Sequence, residues 1–366
     1  MKKVIALILA LTMVFALVAC GKTEAPAETP AETPAETPAE TPAEAPAEAA
    51  APTYELRLGT QEAEGIPLAD SAYRFAAALE EATNGDIKVT VYPANQLGDY
   101  EAMFEELTLG TLDMAWISGP ASFDPMMDIQ GIPYLVENWD QARELWGDRE
   151  GYIYTKFEEI FDNLGVKLLG IVPGGFLGVG AKDLGNLETV FDLSVNQGVL
   201  IRHPSMDVAA MIVKALGFNN MAIAYSDLYT ALQTGVVDGW YGGGAGLNYT
   251  GFRDVISYFA DYRYLFEVMD MLISAQTFEK LPAEYQELIV ELAIAEQPKA
   301  FDEFQAYEEA GYAQLEEYGI EVLIPTADEM SAMAESVRAE VYPQLNDLFG
   351  EDVMAAISEQ VAGLSK

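Results

Sequence analysis

One arginine of this chain stands where it could bind a carboxylate. Arg202 follows apolar residues 199–201, which predict a short β-strand. In open α/β sheets, the carboxyl end of such a strand faces the crevice in which ligands bind. A guanidinium offers a planar fork that holds a carboxylate through two parallel hydrogen bonds. A structural salt bridge with one of the many acidic residues is the alternative interpretation of Arg202.

The segment 198–239 would hold Arg202 in place. A helix is predicted over residues 208–215 because its apolar residues recur at helical spacing. A second helix is predicted over residues 227–234, and the chain then returns to a strand at 236–237. The segment therefore predicts a strand–helix–helix–strand unit with Arg202 at the top of its first strand.

Aromatic and amide side chains follow this unit. Trp240 and Tyr241 begin a glycine-rich segment, 240–246, and Asn248 comes shortly after it. A glycine loop allows the backbone to approach a ligand closely, although a plain turn is the alternative. Trp240, Tyr241 and Asn248 are therefore candidate ligand-binding residues.

The region before this unit predicts an α/β lobe. Strands predicted at 54–59, 87–91 and 112–117 alternate with amphipathic helices, which favours a mainly parallel sheet. The loops 60–67 and 118–123 follow two of these strands and should line the cleft. Trp116 and Phe123 lie at this edge and are candidates for packing on a ligand, with a place in the core as the alternative.

The first 52 residues predict a signal peptide, a lipid anchor and a spacer. An apolar run over residues 4–18 follows two lysines, and it is too short to span a bilayer but typical of a signal peptide. It ends in Leu-Val-Ala-Cys-Gly, which resembles the cleavage box of bacterial lipoproteins and predicts a lipid on Cys20. An ordinary signal peptide with a chance cysteine is the alternative, but the chain has only 1 cysteine. Residues 21–52 repeat Thr-Pro-Ala-Glu, which predicts an extended, disordered spacer.

Size and charge restrict the remaining residues. Residues 53–366 exceed what one core usually holds, which favours two lobes. The chain has 19 basic and 59 acidic residues and a net charge of −40. Such a surface repels nucleic acid and anionic lipid, so the lipid anchor is the only expected contact with a membrane. A carboxylate site would need a buried, locally positive spot.

Several motifs occur together along the chain. They are Ile-Arg-x-Pro (201–204), Ala-Leu-Gly (215–217), YTALQTGVVDG (229–239), the segment 87–115, GIPYL (131–135) and FEKLPAEYQELI (278–289). Their order resembles that of the solute receptors of tripartite ATP-independent periplasmic (TRAP) transporters, of the dicarboxylate-receptor type. The resemblance covers nearly all of residues 54–360.

This resemblance implies a fold and a function. The fold would be α/β, two-lobed and periplasmic-binding-protein-like, with a ligand cleft between the lobes and a long bracing helix. An arginine at the place of Arg202 binds the substrate carboxylate in that family. The protein would be an extracytoplasmic receptor that captures a small organic acid and delivers it to a TRAP permease, without catalysis, cofactor or metal. Its place would be the outer face of the cell membrane, as a lipoprotein.

The chain also departs from the family pattern. After Val-Val-Asp-Gly the family usually continues Gln-Glu-Asn-Pro, whereas here the segment 240–246 follows. A second arginine carried by many members is not evident, and Leu177 and Lys182 lie in its region. These departures suggest a ligand other than the usual dicarboxylates and sugar acids.

The predicted division of the chain has five parts. They are the signal peptide (1–20), the spacer (21–52), the first lobe (53–172), the second lobe (173–264) and a shared part with a crossover strand, long helix and C-terminal helices (265–366). Residues 173–175, Pro-Gly-Gly, are a hinge candidate. The long helix should begin at Pro282, and Pro298 inside it predicts a kink or break.

Two other classes of protein remain as alternatives. A cell-surface enzyme lacks support, since there is no phosphate loop with lysine, no G-x-S-x-G elbow and only 1 histidine, His203. A structural or adhesin lipoprotein fits the tether and the spacer but does not explain a two-lobed α/β core.

Overall fold

Two separate β-sheets organise the folded part of the chain. The computed structural model describes residues 52–365. The predicted signal peptide with Cys20, and the predicted spacer up to residue 51, lie outside the described residues. None of the helices within residues 52–365 is long and apolar enough to cross a membrane.

The strands of the two sheets come from different parts of the chain. They are β1 (Tyr54–Thr60), β2 (Ile87–Tyr92), β3 (Met114–Ile117), β4 (Val166–Phe176), β5 (Val179–Ala181), β6 (Leu200–His203), β7 (Asn219–Ala222), β8 (Gly239–Tyr241), β9 (Tyr258–Ala260), β10 (Phe266–Ser274) and β11 (Glu321–Leu323). The first sheet has the order β2–β1–β3–β10–β4, and the second has the order β11–β9–β5–β8–β6–β7. β1, β2 and β3 are parallel, as predicted, whereas β10 runs antiparallel to both β3 and β4.

Helices cover these sheets. They are α1 (Pro67–Ala82), α2 (Tyr100–Leu109), α3 (Trp139–Gly147), α4 (Tyr152–Asn163), α5 (Asp207–Ala215), α6 (Leu228–Thr234), α7 (Ala245–Leu247), α8 (Ala275–Lys280), α9 (Ala283–Tyr318), α10 (Ala327–Phe349) and α11 (Glu351–Ala362). α1 is amphipathic, as predicted for the helices between the first strands, since its Ala72, Phe75 and Leu79 are buried. The ring of Phe75 lies 5.1 Å from that of Trp116 on β3, so this buried face packs on the first sheet.

The Pro-Gly-Gly segment lies inside a strand. β4 runs through the hinge candidate 173–175 to Phe176 and pairs with β10 over its length. The pairing shifts register between Glu267 and Val268, opposite the Pro-Gly-Gly segment. Such irregularities bend a strand locally. The hinge role of residues 173–175 stays a prediction.

One strand of the second sheet was missed. The segment 198–239 contains β7 between its two helices, so it is a strand–helix–strand–helix–strand unit. β7 runs parallel to β6 at the edge of the second sheet, and all four of its residues are exposed. Its residues, Asn-Asn-Met-Ala, show no alternation of apolar and polar side chains, which is the signal on which strand prediction depends. The predicted return strand at 236–237 is also displaced, because β8 begins at Gly239.

The long helix α9 connects the two sheets. It contacts α1 and β4 at the first sheet, and α7 and β11 at the second. It runs without interruption for 36 residues through Pro298, so the predicted break is wrong. The two residues before Pro298 are held by the first sheet and its cover. Glu296 pairs with Arg74 on α1 at 2.6 Å, and the Gln297 side chain donates to the Ile171 carbonyl at 2.8 Å. These contacts hold the helix where the proline removes one backbone hydrogen bond.

Replacing Pro298 by alanine should stabilise the fold. Pro298 is exposed, so alanine would restore helical hydrogen bonding without leaving a cavity. We expect the free energy of unfolding to rise by about 1–2 kcal/mol, less than the helical cost of proline because proline also restricts the unfolded chain. Urea denaturation of residues 52–366 measures this, with the exposed neighbour Lys299→Ala as the control. A Pro298→Ala protein no more stable than the control would contradict the prediction.

Candidate functional site

A cavity of about 60 Å³ lies between the two sheets. The first sheet and its cover contribute residues that follow β1 and β3, the first residue of α2 and one residue of β10. The second sheet contributes residues around the carboxyl ends of β6 and β8. The lining residues are Gln61, Glu62, Tyr100, Ser118, Arg202, Pro204, Met206, Tyr225, Trp240, Tyr241, Gly242, Leu247 and Glu267. The loops 60–67 and 118–123 therefore reach the cavity, as predicted.

Arg202 is the basic residue of this lining. It lies in β6, paired with Met221 of β7 and Trp240 of β8, and is 3% exposed. Its Nε donates to the Ile223 carbonyl at 2.8 Å, while its Nη2 has no hydrogen-bond partner. Within residues 52–365 Arg202 forms no ion pair, so the structural salt-bridge interpretation is not supported. Burial lowers the pKa of the guanidinium, because desolvation disfavours its charged form.

Two glutamates share the cavity with Arg202. Glu62 follows β1, and its carboxylate accepts a hydrogen bond from the Tyr225 hydroxyl at 3.3 Å. Burial raises the pKa of Glu62 to about 7. Burial also raises the pKa of Glu267 to about 8, repulsion from Glu62 adds to that shift, and Arg202 opposes it. The cavity thus holds one cation and two carboxyl groups.

Aromatic rings form much of the remaining lining. Tyr225 lies 5.9 Å from the Arg202 guanidinium carbon and 6.4 Å from the Trp240 ring. Tyr241 packs against Tyr264 with ring centroids 4.7 Å apart. Tyr100 is placed by the start of α2, which the Asp99 side chain caps by accepting from the Glu101 amide. These rings reduce the contact of the charged groups with solvent, which strengthens electrostatic interactions in the cavity.

Asn248 lies behind the cavity wall. Its Oδ1 accepts from Trp240 Nε1 at 2.9 Å, and its Nδ2 donates to the carbonyls of Gly243 and Gly244 at 3.1 and 2.9 Å. All three hydrogen bonds are internal, and Asn248 is fully buried. The amide therefore fixes the Trp240 ring and the glycine segment.

The glycines of segment 240–246 serve close packing. Gly242 and Gly243 have positive φ angles of 138° and 65°, and a Cβ on either would collide with the Trp240 ring. A Cβ on Gly244 would collide with Glu308 of α9, and one on Gly246 would collide with Tyr307. Only Gly242 lines the cavity, so the close approach predicted for a ligand is mostly an approach to α9.

The structure brings together three of the six predicted ligand-binding residues. Arg202, Trp240 and Tyr241 line the cavity, and Asn248 supports Trp240 from behind. Trp116 is fully buried in the core under α1, and Phe123 packs on Phe104 at 4.9 Å. Neither of these two rings lines the cavity, which agrees with the core alternative.

Sequence reasoning missed several residues of the lining. Tyr225 follows the edge strand β7, so it was missed together with that strand. Glu267 lies within an antiparallel strand, where the rule about strand ends does not apply. Gln61, Glu62 and Ser118 stood in loops that were predicted to face the cleft, but their side chains were not singled out.

A cavity between two helix-covered β-sheets that one long helix connects is the architecture of a solute-binding protein. Comparison with known proteins agrees. A family model described as bacterial extracellular solute-binding protein, family 7 (DctP), matches residues 58–346. The chain belongs to this family, whose members are extracytoplasmic binding proteins and not enzymes.

Relatives and solved structures extend this result. The C4-dicarboxylate-binding periplasmic protein DctP of Rhodobacter capsulatus is 26% identical over 314 residues, 82% of this chain and 89% of the relative. A TRAP periplasmic solute binding protein from Desulfovibrio salexigens with bound orotic acid has a TM-score of 0.76 at 24% identity, covering 84% of this chain and 99% of that chain. A sugar acid binding protein from Advenella mimigardefordensis in complex with galactonate has a TM-score of 0.78 at 20% identity, covering 86% of this chain and 100% of that chain. These structures confirm the predicted two-lobed fold.

The buried carboxyl groups should make stability depend on pH. The native pKa of Glu62 is raised from 4.5 to about 7, so the native state keeps this proton while the unfolded chain loses it. Burial likewise raises the pKa values of Asp128 and Asp270 to about 7, and those of Glu267 and Glu308 to about 8. The free energy of unfolding should therefore fall as the pH rises from about 5 to about 8.

Thermal melts across this pH range measure the effect. Glu62→Gln cannot ionise and should lose less stability between pH 5 and 8 than the unchanged protein. Glu64→Gln is the control, because Glu64 is exposed two residues away. If the thermal stability of the Glu62 and Glu64 variants changed equally with pH, the ionisation of Glu62 would not contribute to the pH dependence.

Proposed function

We propose that the protein captures a small organic acid in this cavity and delivers it to a TRAP-type membrane permease. The observation that carries the proposal is the Nη2 of Arg202, a buried charged donor that lines the cavity without a partner. A ligand carboxylate would accept from this donor and neutralise the guanidinium. Trp240 and Tyr241 would form walls against the ligand, with Asn248 positioning Trp240.

The relatives support an acid as the ligand. The similar proteins described above hold orotic acid or galactonate, or are C4-dicarboxylate-binding, and all of these ligands carry a carboxylate. The permease partner follows from family membership, since these receptors belong to TRAP systems. In the proposed division, residues 53–172 and 173–264 form the two lobes, and residues 265–366 brace them.

The proposal includes attachment to the membrane. A lipid on Cys20 would hold the protein at the outer face of the cell membrane, and the spacer 21–52 would hold the binding lobes away from it. A spacer of this kind extends by about 3.1 Å per residue.

Removing the Arg202 guanidinium should abolish most of the affinity for the acid. Truncating one partner of a buried, hydrogen-bonded charge pair costs about 2–5 kcal/mol, or roughly 30-fold to several thousand-fold in Kd. Calorimetric titration of Arg202→Ala with the cognate acid measures this loss. Arg202→Lys should recover only part of it, because an ammonium cannot reproduce the two-pronged geometry.

Two controls make the Arg202 test specific. Arg253→Ala removes an arginine outside the cavity lining and should leave Kd unchanged. Thermal melts without ligand should show little loss for Arg202→Ala, since Arg202 gives up no ion pair within the described residues. Near wild-type affinity of Arg202→Ala for the cognate acid would refute the carboxylate role.

Changing Cys20 to alanine should release the protein from the membrane or leave an uncleaved precursor. The lipid would attach to a cysteine thiol, and the chain has only 1 cysteine, Cys20. Membrane fractionation with immunoblotting measures both outcomes, and Thr23→Ala is a control just beyond the box. A Cys20→Ala protein of mature size in the membrane fraction would disprove the tether.

A further inference from the structure

The charges in the cavity lie on opposite walls. Arg202 comes from β6 of the second sheet. Glu62 follows β1 and Glu267 lies in β10, both of the first sheet. The cavity therefore has a positive wall at the second sheet and an acidic wall at the first.

Neither glutamate is neutralised by another residue. Among residues 52–365, Glu62 and Glu267 form no ion pair. Glu62 accepts from the Tyr225 hydroxyl, and the ring of the same tyrosine lies 5.9 Å from the Arg202 guanidinium carbon. Tyr225 thus joins the two walls, so one short ligand can reach both.

The lining offers no place for a second carboxylate. Its only lysine or arginine is Arg202, as far as the described residues show. A dicarboxylate would bring its second negative charge to the acidic wall, where an ionised Glu62 or Glu267 would repel it and raise the carboxyl pKa values further. A protonated amine would instead favour the ionised form of Glu62 and Glu267, whose pKa values burial raises to about 7 and about 8. It would also meet the rings of Tyr100 and Tyr225, whose faces attract cations.

We propose that the ligand is a small amino acid bound as a zwitterion, with its carboxylate on Arg202 and its ammonium group at Glu62 and Glu267. The inference rests on the proposed function, since it assigns the organic acid a class. It also explains why a buried guanidinium without a counter-ion occurs together with a buried and a half-buried glutamate that, among the described residues, also form no ion pair. The ligand supplies the missing partner to each wall.

Matched pairs of ligands test the amine directly. Each pair differs only by an amine or a hydroxyl group: alanine and lactate, leucine and 2-hydroxy-4-methylpentanoate, aspartate and malate, 4-aminobutyrate and 4-hydroxybutyrate. Calorimetric titration of residues 52–366 should show, for at least one pair, an amino acid that binds about 10- to 100-fold more tightly, the range expected for a hydrogen bond to a charged group.

Variants of the acidic wall test its role. Glu62→Gln and Glu267→Gln keep the shape of the side chain and remove its capacity to ionise. Each should weaken binding of the amino acid but should not weaken binding of its hydroxy analogue, which carries no ammonium group. The loss should be about 10-fold or more for the amino acid. Glu64→Gln, exposed outside the lining, should change neither Kd. Thermal melts confirm that each variant is folded.

The outcomes separate this inference from the proposed function. One outcome is that hydroxy acids or dicarboxylates bind as tightly as the amino acids and lose this affinity in Arg202→Ala. That result would overturn the proposal of an amino acid ligand but would still support a receptor for organic acids. Equal Kd values for both members of every pair, or no binding of either member, would also overturn the proposal of an amino acid ligand. Amino acid binding that is unchanged in Arg202→Ala would refute the carboxylate role as well.

Discussion

A guanidinium buried between two sheets without a counter-ion is the constraint from which the rest of the site follows. Desolvating such an ion costs several kcal/mol, and one hydrogen bond to the Ile223 carbonyl offsets only part of this. The backbone of Arg202 is fixed in position, because β6 is paired on one side with β7 and on the other with β8. The folded protein therefore holds a polar group that the carboxylate of the proposed ligand would satisfy, so that binding would gain the interaction that folding leaves unmade.

The wall opposite the first sheet is held in place by α9. The helix lies close to the glycine segment because Gly244 and Gly246 have no Cβ to meet Glu308 and Tyr307. Asn248 then binds the carbonyls of this segment and the Trp240 indole, so the position of the ring is tied to the position of the helix. Since α9 also contacts α1 and β4 of the first sheet, one helix sets both the spacing of the sheets and the wall of the cavity.

The sequence predicted the parts of the fold that have a strong periodic signal. The strands of the first sheet, the buried face of α1 and the long helix have apolar residues at regular spacing, and the family motifs indicated two lobes. The edge strand β7 has exposed residues, and it was missed. The break at Pro298 was predicted from a local rule, which the contacts of Glu296 and Gln297 overrode.

The site was predicted unevenly for a related reason. Arg202 could be found because an apolar strand leads directly to it, and Trp240 and Tyr241 because they follow the family motif. Trp116 and Phe123 stand at the same kind of strand end, but an aromatic ring can turn either to a cavity or to the core. Glu267 and Tyr225 reach the cavity only through tertiary folding. No local pattern shows that an antiparallel strand brings a glutamate opposite Arg202.

The charge of the whole chain bears on which ligand the cavity selects. A net charge of −40 repels an anion before it reaches the cleft, and slows its association. A zwitterion carries no net charge and does not meet this barrier. Inside the cleft the net charge of the chain matters less than the nearest charges, because each wall interacts at short range with one end of the ligand. A dianion would be attracted by Arg202 and repelled by Glu62 and Glu267, whereas an amino acid aligned across the cavity is attracted by both walls. The same acidity that disfavours simple organic acids at a distance thus favours, at contact, an acid that also carries an amine.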